Sequence, residues 1–303
     1  MMAGIEALGR LFTTDKTIDN WTLNRLGVQV LRTVVAHALY NTRPIPVSRG
    51  VAEHVRELKR QGIVVIPNFL SHSELERVRA EARVIEERGE SVLTIHHGFT
   101  RRRTVPIRDV PDELVPAMHR FFLDPRLEGI LTAAEQRPLG RLVDHSDLEI
   151  LLYDESDAHD IQTELHSDCF YNTHKVWFYL SDVGPNDGPL VYVKGSNVLT
   201  LERLRHIYRE SWDHAPDANA SRRISEDERR TLEETVLTVP ANTLVIVNTC
   251  GYHRRIAGVP GRRRTALSFF LRANPYAPHA LHSAVARYPR VYQWLRNVRG
   301  RHP

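Results

Sequence analysis

Cysteine is nearly absent from this chain: Cys169 and Cys250 are the only two in 303 residues. Two cysteines make no disulfide framework, so an apolar core must hold the fold. Missing too is any apolar run long enough to span a bilayer. The best stretch, 26–40, is interrupted by Arg32 and His37. The first residues lack the charged-then-apolar layout of a signal peptide. A reducing, cytoplasmic setting and two buried free thiols are therefore expected. There is no internal repeat and no low-complexity tract. What is present is ordinary for a globular protein: 42% hydrophobic and 26% charged residues, enough for a sizeable core.

The charge balance is mildly basic, 41 Lys and Arg against 37 Asp and Glu, or +4. Much of the excess is arginine in clusters at 101–103, 254–255 and 262–264. Guanidinium forks suit carboxylates and phosphates. No zinc-finger spacing or aromatic RNA-binding signature accompanies them, so a small anionic molecule is the expected partner and nucleic acid is not.

The chain reads as helices followed by short strands. Leu23, Leu26, Val30 and Val34 fall at helical spacing and predict an apolar stripe on a helix over 20–40, ended by Pro44 and Pro46. Residues 62–67 read as a short strand closed by proline. Ser71 and Glu74 form a capping-box pattern, and Leu75, Val78, Ala82 and Ile85 the buried stripe of the helix behind it. Met118, Phe121 and Phe122 read as helix core. Strands are predicted at 148–153, 161–169, 175–180, 190–193, 237–239, 243–247 and 265–271. Ser225 and Glu228 repeat the capping pattern inside an insertion, 201–236, that looks helical. Residues 288–299 look like a basic helix. Frequent turns between short strands predict a small sandwich or barrel.

Within the strand predicted at 161–169, His166 and Asp168 are two residues apart. Side chains at i and i+2 of a strand share a face, so one imidazole and one carboxylate would enter one cavity. A second histidine would complete a two-His-one-carboxylate face that leaves open positions on iron. His253 is the best candidate, following the strand 244–247 across a short bend. The spacing alone is ambiguous, because His145 and Asp147 repeat it at the start of a strand. Arg264, eleven residues beyond His253, precedes an apolar strand. It suits either a buried clamp for a carboxylate or a basic hairpin with Arg262 and Arg263.

Five elements in order then resemble the phytanoyl-CoA dioxygenase-like (PhyH) family of 2-oxoglutarate oxygenases. They are Gly62–Leu70 with the helix after it; Glu164–Asp168; Lys175–Asp182; Gly188–Asn197; and His253-Arg followed by Arg264–Ser268. The resemblance covers roughly residues 60–275. It implies a double-stranded β-helix, mainly β, a jelly-roll buttressed by N-terminal helices. It implies Fe(II) held by His166, Asp168 and His253, 2-oxoglutarate clamped by Arg264, O2 as co-substrate, and succinate and CO2 as by-products. Because Asp168 is present, hydroxylation or a related oxidation is expected rather than halogenation. Two departures stand out. The family's Pro-Gly-Ser-His turn reads Lys194–Asn197, expected to matter only for surface chemistry. Arg255, where relatives carry a small residue, is expected to narrow the site or touch substrate.

Around that centre, Gln162 and Glu164 are expected on the face of His166, where either would orient the co-substrate. Either Lys175, Trp177 and Tyr179 or Val176 and Phe178 should line the cavity; Lys175 and Trp177 are carried forward as co-substrate contacts. Residues 94–108, with His96, His97 and three arginines, and the insertion 199–236 are candidate covers. The expected organisation is an N-terminal helical extension, 1–60, an oxygenase domain, 61–275, and a basic C-terminal segment, 276–303, in a monomer or homodimer. Two other readings stand beside the oxygenase acting on a small metabolite: a non-catalytic binding or regulatory barrel, and an oxygenase whose terminal helices dock on anionic membrane to reach a lipid.

Overall fold

The computed structural model describes residues 15–18, 20–42, 45–89, 92–212, 222–272 and 274–276. The helix expected over 288–299 lies outside them. In chain order the elements are α1 (Trp21–Arg25), α2 (Val28–Asn41), α3 (Ala52–Gln61), β1 (Ile63–Ile66), α4 (His72–Arg88), β2 (Leu93–His97), β3 (Thr100–Pro106), α5 (Pro116–Phe122), α6 (Pro125–Glu135) and β4 (Ser146–Tyr153). There follow β5 (His166–Ser167), β6 (His174–Tyr179), β7 (Leu190–Val193), α7 (Leu201–Glu210), β8 (Arg222–Arg223), α8 (Glu226–Arg229), β9 (Glu234–Leu237), β10 (Thr243–Asn248), β11 (His253–Arg255) and β12 (Arg263–Leu271).

The strands form two antiparallel sheets. The major sheet runs β1-β10-β6-β12-β4-β3-β2 and the minor one β8-β5-β11-β7-β9. Alternation along each major strand divides its residues between two environments. On β6, Val176 and Phe178 join the helix-facing core with Phe69, Phe121 and Leu127 from the helical layer. Tyr179 instead meets Tyr192 and Leu190 of β7 in the core between the sheets. Helices thus cover one face of the major sheet and the minor sheet faces the other. This is the double-stranded β-helix arrangement, mostly β with buttressing helices.

Local chemistry explains most boundaries. The Ser71 Oγ accepts from the Glu74 amide at 3.3 Å, and the Glu74 carboxylate accepts from the Ser71 amide at 2.9 Å, so α4 starts with both groups satisfied. Its predicted stripe is buried as expected. Gly62 closes α3 at φ +76, which lets β1 begin at the next residue. Met118, Phe121 and Phe122 are core residues of α5.

Three expectations fail for identifiable reasons. The helix over 20–40 is broken at Gly27, in the left-handed region, and its predicted stripe faces outward: Leu26 is 74% exposed and Val34 is exposed too. The buried face is polar, with Asn24, Gln29, Arg32, Thr33 and His37. Those polar groups bond to neighbouring backbone, which an apolar-periodicity argument does not see. The strand predicted over 161–169 is a turn at Ile161–Thr163 and then the two-residue β5. Buried Asp160 makes that turn by accepting from the Gln162 amide at 2.9 Å. The insertion near 199–236 is helical over α7 and the four-residue α8, whose Ser225–Glu228 capping box is present. Its end, β9, is an edge strand paired to β7. Among the described residues no helix is long and apolar enough to cross a membrane.

Candidate metal centre and its cavity

The minor sheet makes His166 and His253 direct cross-strand partners on β5 and β11, with ring centroids 4.6 Å apart. Asp168 follows just past β5, where its amide donates to the Thr249 carbonyl at 2.9 Å. One ligand-type atom from each of the three lies within 4.8 Å of the others, and all three residues are buried. Asp168 Oδ1 is 3.7 Å from His166 Nε2, and its Oδ2 is 3.6 Å from His253 Nε2.

Backbone carbonyls determine the tautomers. His166 Nδ1 donates to Glu164 O at 2.7 Å and His253 Nδ1 donates to Gly251 O at 3.0 Å. A proton on each Nδ1 leaves a lone pair on each Nε2, the state in which imidazole ligates a metal. Burial and the adjacent His253 push His166 down to about 3, so it is neutral at physiological pH. Burial alone would raise Asp168, but Lys175, His253 and His166 outweigh it and hold the carboxyl well below the usual range. The set is two imidazoles, each with Nδ1 turned to a carbonyl, and one carboxylate. His166 Nε2 is buried with no hydrogen-bond partner. A buried polar atom left so is costly unless something takes it, and a divalent iron would. The donor set therefore fits a non-haem iron on one face.

A cavity of about 450 Å³ opens in front of these atoms, within the range of small-molecule sites. Lys175, Trp177 and Tyr179 line it, as the inner face of β6. Gln162 lines it from the turn before β5, whereas Glu164 pairs with Arg223 and His159 at 2.8 and 2.6 Å. Lys175 Nζ lies 2.8 Å from Asp168 Oδ2. The competing pair divides differently: His145 and Asp147 line the cavity from β4 and the turn before it, away from the triad of ligand-type atoms.

The arginines at 262–264 divide where the turn meets β12. Arg262 pairs with Asp187 and Arg263 with Glu86, both on the outside, while Arg264 is buried and lines the cavity. Its Nη1 donates to Gly188 O and its guanidinium sits 5.6 Å from the Tyr179 ring centroid. Arg255 is spoken for by buried Asp160, which also accepts from Thr100. Arg254 pairs with Glu234 at 2.6 Å. The segment 94–108 is the hairpin β2–β3, joined to β4, and His97 and Arg102 from it reach the cavity. The turn ending in Asn197 is not surface chemistry: Asn197 is buried and its Nδ2 donates to Lys59 O at 2.9 Å, tying the turn to α3. Cys169 and Cys250 are free and buried, and burial pushes Cys250 up to about 11.

Sequence reasoning passed over Glu149. It is buried in the cavity wall, accepting from Arg102 Nε at 2.8 Å and Trp177 Nε1 at 3.1 Å. The signal was present: Asp147 and Glu149 alternate within an otherwise apolar strand. Lys16 and Arg272 also line the cavity and carried no local signal.

Comparison with solved structures returns the same fold. The epimerase SnoN of nogalamycin biosynthesis, solved with Fe3+, α-ketoglutarate and nogalamycin RO, is 18% identical, with TM-score 0.52 over 74% of this chain and 87% of that one. HygX from Streptomyces hygroscopicus, solved with nickel and 2-oxoglutarate, is 21% identical, with TM-score 0.45 over 74% and 87%. No curated protein matches the chain at a significant level. The sequence profile described as Phytanoyl-CoA dioxygenase (PhyH) matches residues 58–242, more than half of the chain and the first four of the five expected motifs, ending before His253 and Arg264, and the chain therefore belongs to the phytanoyl-CoA dioxygenase (PhyH) family of iron- and 2-oxoglutarate-dependent oxygenases.

Proposed function

We propose that the protein hydroxylates, or otherwise oxidises, a small molecule in the cavity of about 450 Å³, with Fe(II) on His166, Asp168 and His253. The observation that carries this reading is the convergence of two imidazoles, each held at Nδ1 by a backbone carbonyl, and one carboxylate on one buried point. Arg264 is the clamp for the remote carboxylate of 2-oxoglutarate, with the Tyr179 ring beside it and Trp177 and Gln162 in the lining of the same cavity. Bound iron with 2-oxoglutarate supplies the oxidising chemistry: substrate, O2 and 2-oxoglutarate give oxidised substrate, succinate and CO2.

The chain's own residues do the rest. The carbonyls of Glu164 and Gly251 hold the two rings in the ligating tautomer. Lys175 orients the Asp168 carboxylate through Oδ2 at 2.8 Å. Burial of all three ligand residues excludes bulk water, which strengthens each electrostatic contact made there. The oxygenase unit is taken as 61–275, with the helices before it as an extension.

Two measurements test the reading. Anaerobic Fe(II) added with 2-oxoglutarate should produce a metal-to-ligand charge-transfer band, and Asp168→Ala should lose it together with succinate formation, with iron affinity down roughly a hundredfold or more. Wild-type turnover with bound iron in Asp168→Ala would sink the ligand assignment. A wild-type protein with neither band nor succinate would leave the non-catalytic binding barrel standing.

A further inference from the structure

The inner face of the major sheet is laid out in rows. On β12, Arg264, Ala266, Ser268 and Phe270 alternate with the core residues Leu267, Phe269 and Leu271, and Arg272 follows on the same phase. Register sets Tyr179 against Ala266, Trp177 against Ser268 and Lys175 against Phe270. Arg264 and Phe270 are six residues apart along the strand, roughly 20 Å at about 3.3 Å per residue. Arg264 and Lys175 therefore stand towards opposite ends of the cavity that both line.

Around the Lys175 end, two cations share one ring. Lys175 Nζ is 5.1 Å, and Arg272 Cζ 5.7 Å, from the Phe270 centroid. Lys16 joins them from the segment before α1. The polar inner face of α1 and α2 pins that segment. Asn24 Nδ2 donates to Ile18 O at 2.8 Å, Gln29 Oε1 accepts from the Ile18 amide at 3.2 Å, and Gln29 Nε2 donates to Lys16 O at 3.4 Å. Arg32 donates to Asp15 O at 2.6 Å and to Gln29 Oε1 at 3.2 Å. Asn24, Gln29 and Arg32 are buried, so these bonds are made at low dielectric and fix the backbone of residue 16. Burial lowers the basicity of Lys16; Asp168 opposes this, and Arg272 and Lys175 add to it. Arg272 Nη2 donates to Cys169 Sγ at 3.2 Å, and Arg102, Arg254 and Arg255 are engaged by the carboxylates of Glu149, Glu234 and Asp160.

Resting on the oxygenase reading above, we propose that Lys16, Lys175 and Arg272 seat an anionic group of the substrate, a carboxylate or a phosphate, at the end of the cavity remote from Arg264. The two anions of the reaction are then sorted by position. Arg264 takes the co-substrate carboxylate. Lys175, held to Asp168 at 2.8 Å, would have its remaining donors for the substrate when that carboxylate ligates iron. Phe270, half-buried between Lys175 and Arg272, offers its face to the apolar atoms next to the anionic group.

The test titrates benzoate and phenyl phosphate into the anaerobic protein loaded with Fe(II) and 2-oxoglutarate, by calorimetry and by the charge-transfer band, with benzyl alcohol as neutral control. Wild type should bind at least one anion and not the alcohol, and the preferred anion separates carboxylate from phosphate. Lys16→Gln and Arg272→Gln, each melting as wild type does, should weaken the anion about tenfold or more while leaving 2-oxoglutarate affinity unchanged. No anion-selective binding to wild type, anion affinity unchanged from wild type in both variants, or displacement of 2-oxoglutarate by the anion would each overturn the proposal. Failure of the underlying reading registers separately, as absence of the band before any anion is added.

Discussion

At the scale of single residues, the centre works through what holds each ligand rather than through the ligands alone. His166 and His253 are held alike from different places, each by a carbonyl two residues upstream that takes the Nδ1 proton. Arg264 shows how one residue in a run of three comes to act apart from the others. The pleat turns Arg263 outward to Glu86, Arg262 pairs with Asp187 from the turn before β12, and Arg264 is left in the cavity. Replacing Arg264 with Gln should raise the KM for 2-oxoglutarate roughly tenfold to a hundredfold, as expected for losing a charge-assisted contact. Succinate release at graded 2-oxoglutarate measures it, and an unchanged KM would remove Arg264 from the clamp. Gly188 supplies the carbonyl that Arg264 contacts and adopts φ +65, and a Cβ there would lie 2.0 Å from the Tyr153 hydroxyl. Gly188→Ala should therefore raise the same KM without loss of the iron ligands. His166 and Asp168 were legible as a pair, and their place at the end of a predicted strand favoured them over His145 and Asp147, which spacing alone did not. The choice follows from pairing across strands: β5 meets β11, and β4 does not.

At the scale of elements, α2 is the instructive case. Its apolar residues sit outside and its polar residues inside, because the inner face bonds to the chain before α1 and to the loop after Asp168. His37 Nε2 donates to Phe170 O at 3.2 Å, and burial with Arg203 nearby pushes His37 down to about 4 from 6.5. A histidine depressed on folding binds its proton more readily when unfolded. Its stabilising share is therefore complete above about pH 6.5 and is lost as pH falls towards 4. Between pH 7 and 5 this amounts to about 2 kcal/mol. Thermal melts should show a steeper fall in Tm over that range for wild type than for His37→Gln; equal slopes would mean that His37 is not held neutral. The capped helix α4 is the contrary case, legible in sequence because both its cap and its stripe are local.

At the scale of the whole molecule, one layer carries stability and another carries chemistry. Phe178, fully buried, stacks on Phe121 at 4.6 Å and meets Phe69 edge-on at 6.2 Å, joining β6 to the helices. Phe178→Ala should cost about 3–5 kcal/mol and lower Tm by roughly 10 °C, although the side chain points away from the cavity. The minor sheet, with strands as short as two residues, carries His166 and His253 with little core of its own. Ligand binding should tighten it. Ni(II) with 2-oxoglutarate at about a hundred times Kd should add about 2.7 kcal/mol and raise Tm by several degrees, an increase that Asp168→Ala should lack. An equal increase in the variant would mean that the metal binds elsewhere.

The sequence by itself determined the features whose causes are local or nearly so. These are the capping boxes, the apolar alternation of the strands, the absence of cross-links, and the order of motifs that marks the family. Tertiary structure decided what depends on partners distant in the chain. It joined His166 to His253 across two strands, brought Lys16 to a cavity lined by β12, buried Asn197 beneath α3, and turned the polar side of α2 inward. The physical reason is the same in each instance. A side chain's environment is set by the groups that satisfy it, and periodicity along the chain records only those that are near in sequence.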